Sequence, residues 1–176
     1  QAAGIFEMRP FYWKNKKKIP VYGSKRTINL LISKHTFCFK PRKGYQPIME
    51  AISVNKKFKI RKGKNIFYME PFKVIHGPIP ATGYRFDNIA YISDCSKIPN
   101  NSMKILHNLK YLVIDCLKFK KHKSHFNYDD ALKLIDTVKP KKAILTNLHT
   151  DLDYRYLKKK LPSNIIPAYD GLNFNF

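Results

Sequence analysis

Histidine and aspartate recur in this chain at one kind of place, just past the end of an apolar run. His76 follows "FKVI", Asp94 follows "IAYIS", His122 and His125 follow "YLVIDC", and Asn147 with His149 follow "AILT". Imidazole and carboxylate are the side chains that suit Zn, Mn or Fe, and a carboxylate can bridge two ions where a neutral ligand cannot. An aspartate ending a buried strand is costly as an unpaired charge, and a cation would remove that cost. Each residue alone has a plainer reading as a strand-end turn or cap, Asp94 as the cap of the helix behind it. Four such ends in one chain point to a metal centre.

The elements that must position these residues read as an α/β chain without internal repeats. "PVYGS" suggests a short strand and turn, and "KRTINLLISKHTFCF" a helix with Ile28, Leu31 and Ile32 on one face. Residues 40–66 mix Pro, Gly and Lys around "FKI" and predict an exposed hairpin or insertion. "IFYMEPFKVIHG" predicts one or two strands ending at His76, "GPIPATGY" is turn chemistry, and "RFDNIAYISD" returns as a strand that stops at Asp94. A short helix follows in "NNSMKILHNLK". "YLVIDC" is nearly continuous apolar, as in a strand buried on both faces. The clearest helix is "NYDDALKLIDTVKP", with Asn127 as N-cap, Asp129 and Asp130 in the first turn, and Pro140 as its stop. With the strand "KAILTN" it makes residues 111–147 a βαβ unit with the expected right-handed crossover. A last helix is expected from Asp151, then a strand, an Asp-Gly turn and a final alternating strand. In such sheets functional groups gather in the loops beyond the strand ends.

Composition bounds the rest. The 176 residues suffice for one domain with a real core, and 44% apolar with 14% aromatic residues exclude a disordered chain. The formal charge of +22 rests on 34 basic residues, only six of them Arg, the remainder Lys in runs such as "KNKKK" and "KFKKHK". Lysine is a solvated point charge, less suited than arginine to bidentate phosphate recognition. A solvated lysine face and a nucleic-acid surface both remain open. Cys38, Cys95 and Cys116 are odd in number and show no CxxC spacing, so they suggest neither a disulfide framework nor a thiolate zinc site and fit a reducing cytoplasm. No apolar run approaches the roughly 18 residues that span a membrane. The opening "QAAGIFEMRPFYW" is apolar at once and reads as the middle of a longer chain.

Three stretches, "HGPIPATGYRFDNIAYISD", "KHKSHFNYDDALKLIDTVKPKKAILTNLHTDLDY" and "LPSNIIPAYDGLNF", resemble the C-terminal part of metallo-β-lactamase-fold phosphodiesterases. The subgroup resembled is the phosphoribosyl 1,2-cyclic phosphate phosphodiesterases, cousins of the tRNA 3′-processing endonuclease. The opening "GIFEMRPFYWKNKKKIPVYGSK" is similar to the segment after that family's HxHxDH loop, with Gln1 at or just past its final His. The resemblance implies an αββα sandwich forming one domain over residues 1–176, of which this chain covers the part after the loop. It implies His76 as a ligand of the first metal, Asp94 as the carboxylate bridging two, and His125 beside the substrate as general acid or phosphate contact. Where the family has a His after "LT" this chain has Asn147, so His149 is expected as the replacement ligand, with an Asn147 that merely hydrogen-bonds as the alternative. Asn147 and Arg85 join His125 as expected substrate contacts, with plain surface the alternative for Arg85 and the nearby lysines.

The resemblance further implies two divalent ions, Zn or Mn, in the intact site, and one or none on these residues alone, because no HxHxDH occurs among them. The implied activity is hydrolysis of a small cyclic or linear phosphodiester by a metal-activated water attacking in line. His125 would protonate the leaving oxygen. The alternatives are a tRNA-processing type of nuclease, which the charge favours, and a chain without catalysis that serves as a binding or structural piece. A second copy of the chain is a plausible partner for the apolar surface that a missing half would cover.

Overall fold

The computed structural model describes residues 2–174. The expectation for Gln1 and the end of the expected final strand lie outside them. The chain divides into two compact units, Gln1–Lys56 and Lys57–Phe176.

In the first unit a short 3-10 helix, Ala3–Met8, leads into α1, Arg9–Asn15, with Pro10 in its first turn where no amide partner is needed. Strand β1, Ile19–Gly23, precedes α2, Lys25–Lys34, whose N-cap Ser24 accepts from the Thr27 amide at 3.2 Å. After α3, Thr36–Phe39, comes β2, Met49–Ser53, parallel to β1 with Ile19 opposite Met49. The stretch expected as an insertion therefore contains a sheet strand. Its apolar start is the reason: Ile48 and Met49 are buried with Cys38, and Phe6 and Phe37 pack edge-on at 5.1 Å beside them.

The second unit is built on a seven-stranded sheet in chain order, β3 to β9. Strands β3, Phe58–Lys62, β4, Asn65–His76, β5, Ile79–Phe86, and β6, Ile89–Ile92, form an antiparallel meander. Strands β7, Tyr111–Asp115, β8, Lys142–Thr146, and β9, Ile165–Pro167, continue it in parallel with β6. Of "GPIPATGY" only Gly77 and Pro78 turn, and the remainder is strand. Its glycine serves packing instead: Gly83 faces Phe72 across the ladder, and a Cβ there would lie 2.5 Å from the Phe72 ring.

Helix α4, Asn100–Met103, links β6 to β7, and α5, Tyr128–Val138, is the crossover from β7 to β8. Asn127 caps α5 as expected, its Oδ1 accepting from the Asp130 amide at 3.1 Å while its Nδ2 holds the Phe119 carbonyl at 2.9 Å. Helix α6 spans Tyr154–Lys160 and starts three residues later than the sequence suggests. Its cap is Asp153, which accepts from the Tyr156 amide at 2.8 Å, because Leu152 is drawn into the core. Beyond β9 the chain turns at Asp170 and Gly171, and no further strand forms among the described residues. The core joins Phe72, Val74, Ile92, Leu112, Ile114 and Leu145 to the inner faces of α5 and α6. Among the described residues no helix is long and apolar enough to cross a membrane.

Candidate metal centre

Strand direction gathers the strand-end residues. β4 is antiparallel to β5 and β5 to β6, so β4 runs with β6, and β7 and β8 run with it too. The C-terminal ends of β4, β6, β7 and β8 thus open on one sheet edge, the usual place for sites in such sheets. Backbone bonds tie the loops there together. Ile75 and Lys97 form an isolated bridge, the Phe126 amide donates to Cys95 O at 2.6 Å, and the His149 amide donates to Leu117 O at 2.8 Å. Gly77, with φ of 58°, lies so close to the loop after β7 that a Cβ on it would meet Ser124 Cβ at 2.9 Å.

These constraints bring His76, Asp94 and His125 together. The Nε2 atoms of His76 and His125 are 3.1 Å apart, with the rings edge-on at 4.6 Å. Asp94 Oδ1 lies 3.9 Å from His125 Nδ1, and Asp94 Oδ2 accepts from Ser93 Oγ at 2.7 Å. One ligand atom from each of the three lies within 4.8 Å of the others. A tetrahedral ion holding N and O ligands at about 2.0–2.2 Å sets them roughly 3.3–3.6 Å apart, so the group fits a divalent cation with small adjustments. Two imidazole nitrogens facing each other beside a carboxylate are also the donor set that Zn or Mn takes.

Behind His125 stands Asp115, a residue that the sequence reading passed over inside "YLVIDC". Its side chain has no exposure, and it accepts three hydrogen bonds: from the Cys95 amide at 2.9 Å, from His125 Nδ1 at 2.8 Å and from Asn147 Nδ2 at 3.1 Å. Burial pushes its carboxyl above the ordinary value, and these three donors, in that context, pull it back only in part. The Cys95 N–H and the Asn147 Nδ2 donate to the two Asp115 oxygens, and the 2.8 Å contact from His125 Nδ1 to that carboxylate assigns the Nδ1–H tautomer to the ring, with Asn147 Nδ2 3.3 Å from the same nitrogen. His125 therefore turns the lone pair of Nε2 toward His76. The signal for Asp115 was present in the sequence, since a carboxylate closing a fully apolar strand cannot stay there without partners.

Not every expected residue joins the group. Asn147 takes a left-handed φ of 61° directly after β8, which points its amide at Asp115 and turns the chain away. His149, the expected replacement ligand, ends up more than half exposed, with Nδ1 2.9 Å from Asp151 Oδ1. Asn147 hydrogen-bonds to Asp115 instead, at 3.1 Å. Arg85 pairs with Glu70, six residues along β4 from His76, or about 20 Å at strand rise. Its guanidinium donates to Asp87 O at 2.7 Å and to Ile105 O, and it lines a separate open cleft of about 550 Å³ with Lys57, Tyr68 and His107. The His122 ring lies 5.2 Å from that of His125. Desolvation, then the neighbouring His125 and Lys118, hold its imidazole below the usual value.

A seven-stranded mixed sheet with a His/Asp group able to hold a cation at its strand ends defines the class of this α/β domain. Residues 1–147 match the family described as the Beta-lactamase superfamily domain, and the chain belongs to that family. A crystallographically solved diphosphatase of the PhnP family is 28% identical, with a TM-score of 0.84 over 97% of this chain and 64% of that one. The metallo-β-lactamase fold protein YhfI from Bacillus subtilis superposes with a TM-score of 0.72 at 17% identity, over 97% of this chain and 71% of its own. An octanoyltransferase of Porphyromonas gingivalis is 24% identical over 174 residues, 96% of this chain and 34% of that protein. The chain thus spans about a third of its curated relative and somewhat under two thirds of the diphosphatase. The expected metallo-β-lactamase fold is borne out.

Proposed function

We propose that this chain supplies part of the active site of a metal-dependent hydrolase that cleaves a small phosphodiester. The observation that carries the proposal is the convergence of His76, Asp94 and His125 at one sheet edge, within 4.8 Å. The 28% identity to a diphosphatase supports phosphorus as the centre attacked.

His76 and Asp94 would hold a divalent cation, Zn or Mn, and Asp94 has the carboxylate needed to share a second ion supplied with other ligands. When bound, such an ion supplies Lewis-acid polarisation of a phosphoryl oxygen and an activated water. His125 acts on the leaving oxygen: Asp115 fixes its ring through Nδ1, which leaves Nε2 free to serve as the general acid toward the departing group. Asn147 holds the second Asp115 oxygen and keeps that carboxylate aimed. A second reading, favoured by the 3.1 Å separation of the two Nε2 atoms, makes His125 a third ligand of the cation.

The test is hydrolysis of bis(p-nitrophenyl) phosphate by the full-length protein, stripped with a chelator and reloaded with Zn²⁺ or Mn²⁺. Turnover that disappears on stripping and returns on reloading is the expected result, and metal-independent or absent turnover overturns the proposal. His125→Ala separates the two roles. A proton donor leaves metal content unchanged and loses less rate on a substrate with a good leaving group, whereas a ligand loses metal.

A further inference from the structure

His122 neither holds the cation nor delivers the proton, yet its hydrogen bonds mark it out. Its Nδ1 faces the Ser124 amide at 3.3 Å and the Ser124 hydroxyl at the same distance. A backbone amide can only donate, so Nδ1 is the acceptor and the proton of the neutral ring sits on Nε2. His125 is the reverse, with its proton on Nδ1 toward Asp115. Two imidazoles 5.2 Å apart on one short loop therefore present opposite faces of the same chemistry: a lone pair at His125 Nε2, an N–H at His122 Nε2. The His122 side chain is exposed, and both of its hydrogen bonds run to Nδ1.

The loop that carries it is held and charged for an anion. Gly77 lets Ser124, to which His122 Nδ1 is bonded, pack directly on the turn after His76. Lys118, Lys120 and Lys123 share the loop with it, while Lys121 is tied to Asp130 at 2.7 Å.

We propose that His122 is a substrate-contacting residue, donating a hydrogen bond from Nε2 to a non-bridging or leaving oxygen of the phosphate ester held beside His125. No proton leaves His122; it contributes a fixed donor where negative charge accumulates in the transition state. The proposal rests on the phosphoester reading of the neighbouring site, but its tautomer and anion contact can be read without turnover.

Two measurements on the full-length protein test it. Long-range ¹H–¹⁵N correlation spectra of the histidine rings should give the Nε2–H form for His122 and the Nδ1–H form for His125. Titration with inorganic phosphate should then move the His122 Nε2 resonance, in the stripped or the Zn²⁺-loaded protein. The opposite tautomer at His122, or a His122 resonance indifferent to phosphate in both states, overturns the inference even if hydrolysis is found. If bis(p-nitrophenyl) phosphate is turned over, His122→Ala should lower kcat/KM about 10- to 100-fold with the melting temperature unchanged, the loss expected for one hydrogen bond to a charged group. His122→Gln, which places an amide donor near the same point, should recover part of it. A His122→Ala enzyme within twofold of wild type contradicts the role. If no turnover is found, the phosphoester reading fails, and the phosphate titration alone decides for or against His122 as an anion contact.

Discussion

His125 Nδ1 lies 2.8 Å from Asp115 Oδ2, the same oxygen that accepts the Cys95 amide at 2.9 Å. That sharing joins the loop after β6, which carries Asp94, to the loop after β7, which carries His125, through one buried carboxylate. The chemistry of the site therefore depends on a residue that need touch neither metal nor substrate.

Asp115→Asn follows from this arrangement. An amide offers one oxygen to three donors, so one buried donor loses its partner, at about 1–3 kcal/mol. His125 is then able to reverse its tautomer. The expected outcome is a melting temperature lower by several degrees and turnover reduced about 10- to 100-fold, the usual scale for an orienting partner. Wild-type turnover in this variant would show that Asp115 does not orient His125.

Gly83→Ala tests the packing beneath the site. The added methyl would sit 2.5 Å from a Phe72 ring that is itself buried in the core. Overpacking of this kind costs about 1–3 kcal/mol. A denaturant midpoint equal to wild type would mean that the ladder between β4 and β5 yields more easily than the geometry indicates.

Cys116 provides a pH test with a definite sign. It is fully buried next to Asp115, and burial, then the Asp115 charge, push its thiol from 9.0 up to about 12. The rise disfavours the thiolate, so at pH 8 the reactive fraction is about a thousand-fold smaller than for an ordinary thiol. Iodoacetamide should leave Cys116 unlabelled in the folded protein at pH 8 and label it in urea, as read by peptide mass. Equal labelling in both states would contradict the buried placement.

The fold was legible where local pattern and tertiary context agree. The run "YLVIDC" and the capped helix after Asn127 declare themselves through burial and N-cap chemistry, and both form as read. "GPIPATGY" misleads because Pro and Gly are turn residues by propensity. Here Gly83 is needed for its missing Cβ, and Pro80 pairs opposite Ile75 within the ladder. Of the site, His76, Asp94 and His125 were visible as strand-end residues, and the sheet directions bring them together. The position of His149 was not visible, because it depends on the left-handed turn at Asn147, a backbone choice that residue type alone does not fix. Arg85 could not be placed without the register that sets it opposite Glu70.

The central claim is that His76 and Asp94 hold a divalent cation beside His125. The direct measurement is elemental analysis of the full-length protein after loading with Zn²⁺ and exhaustive dialysis, for wild type, Asp94→Asn and His76→Ala. The account predicts bound zinc in the wild type and at least one equivalent fewer in each folded variant. Equal zinc in all three proteins, or none in the wild type, would contradict it.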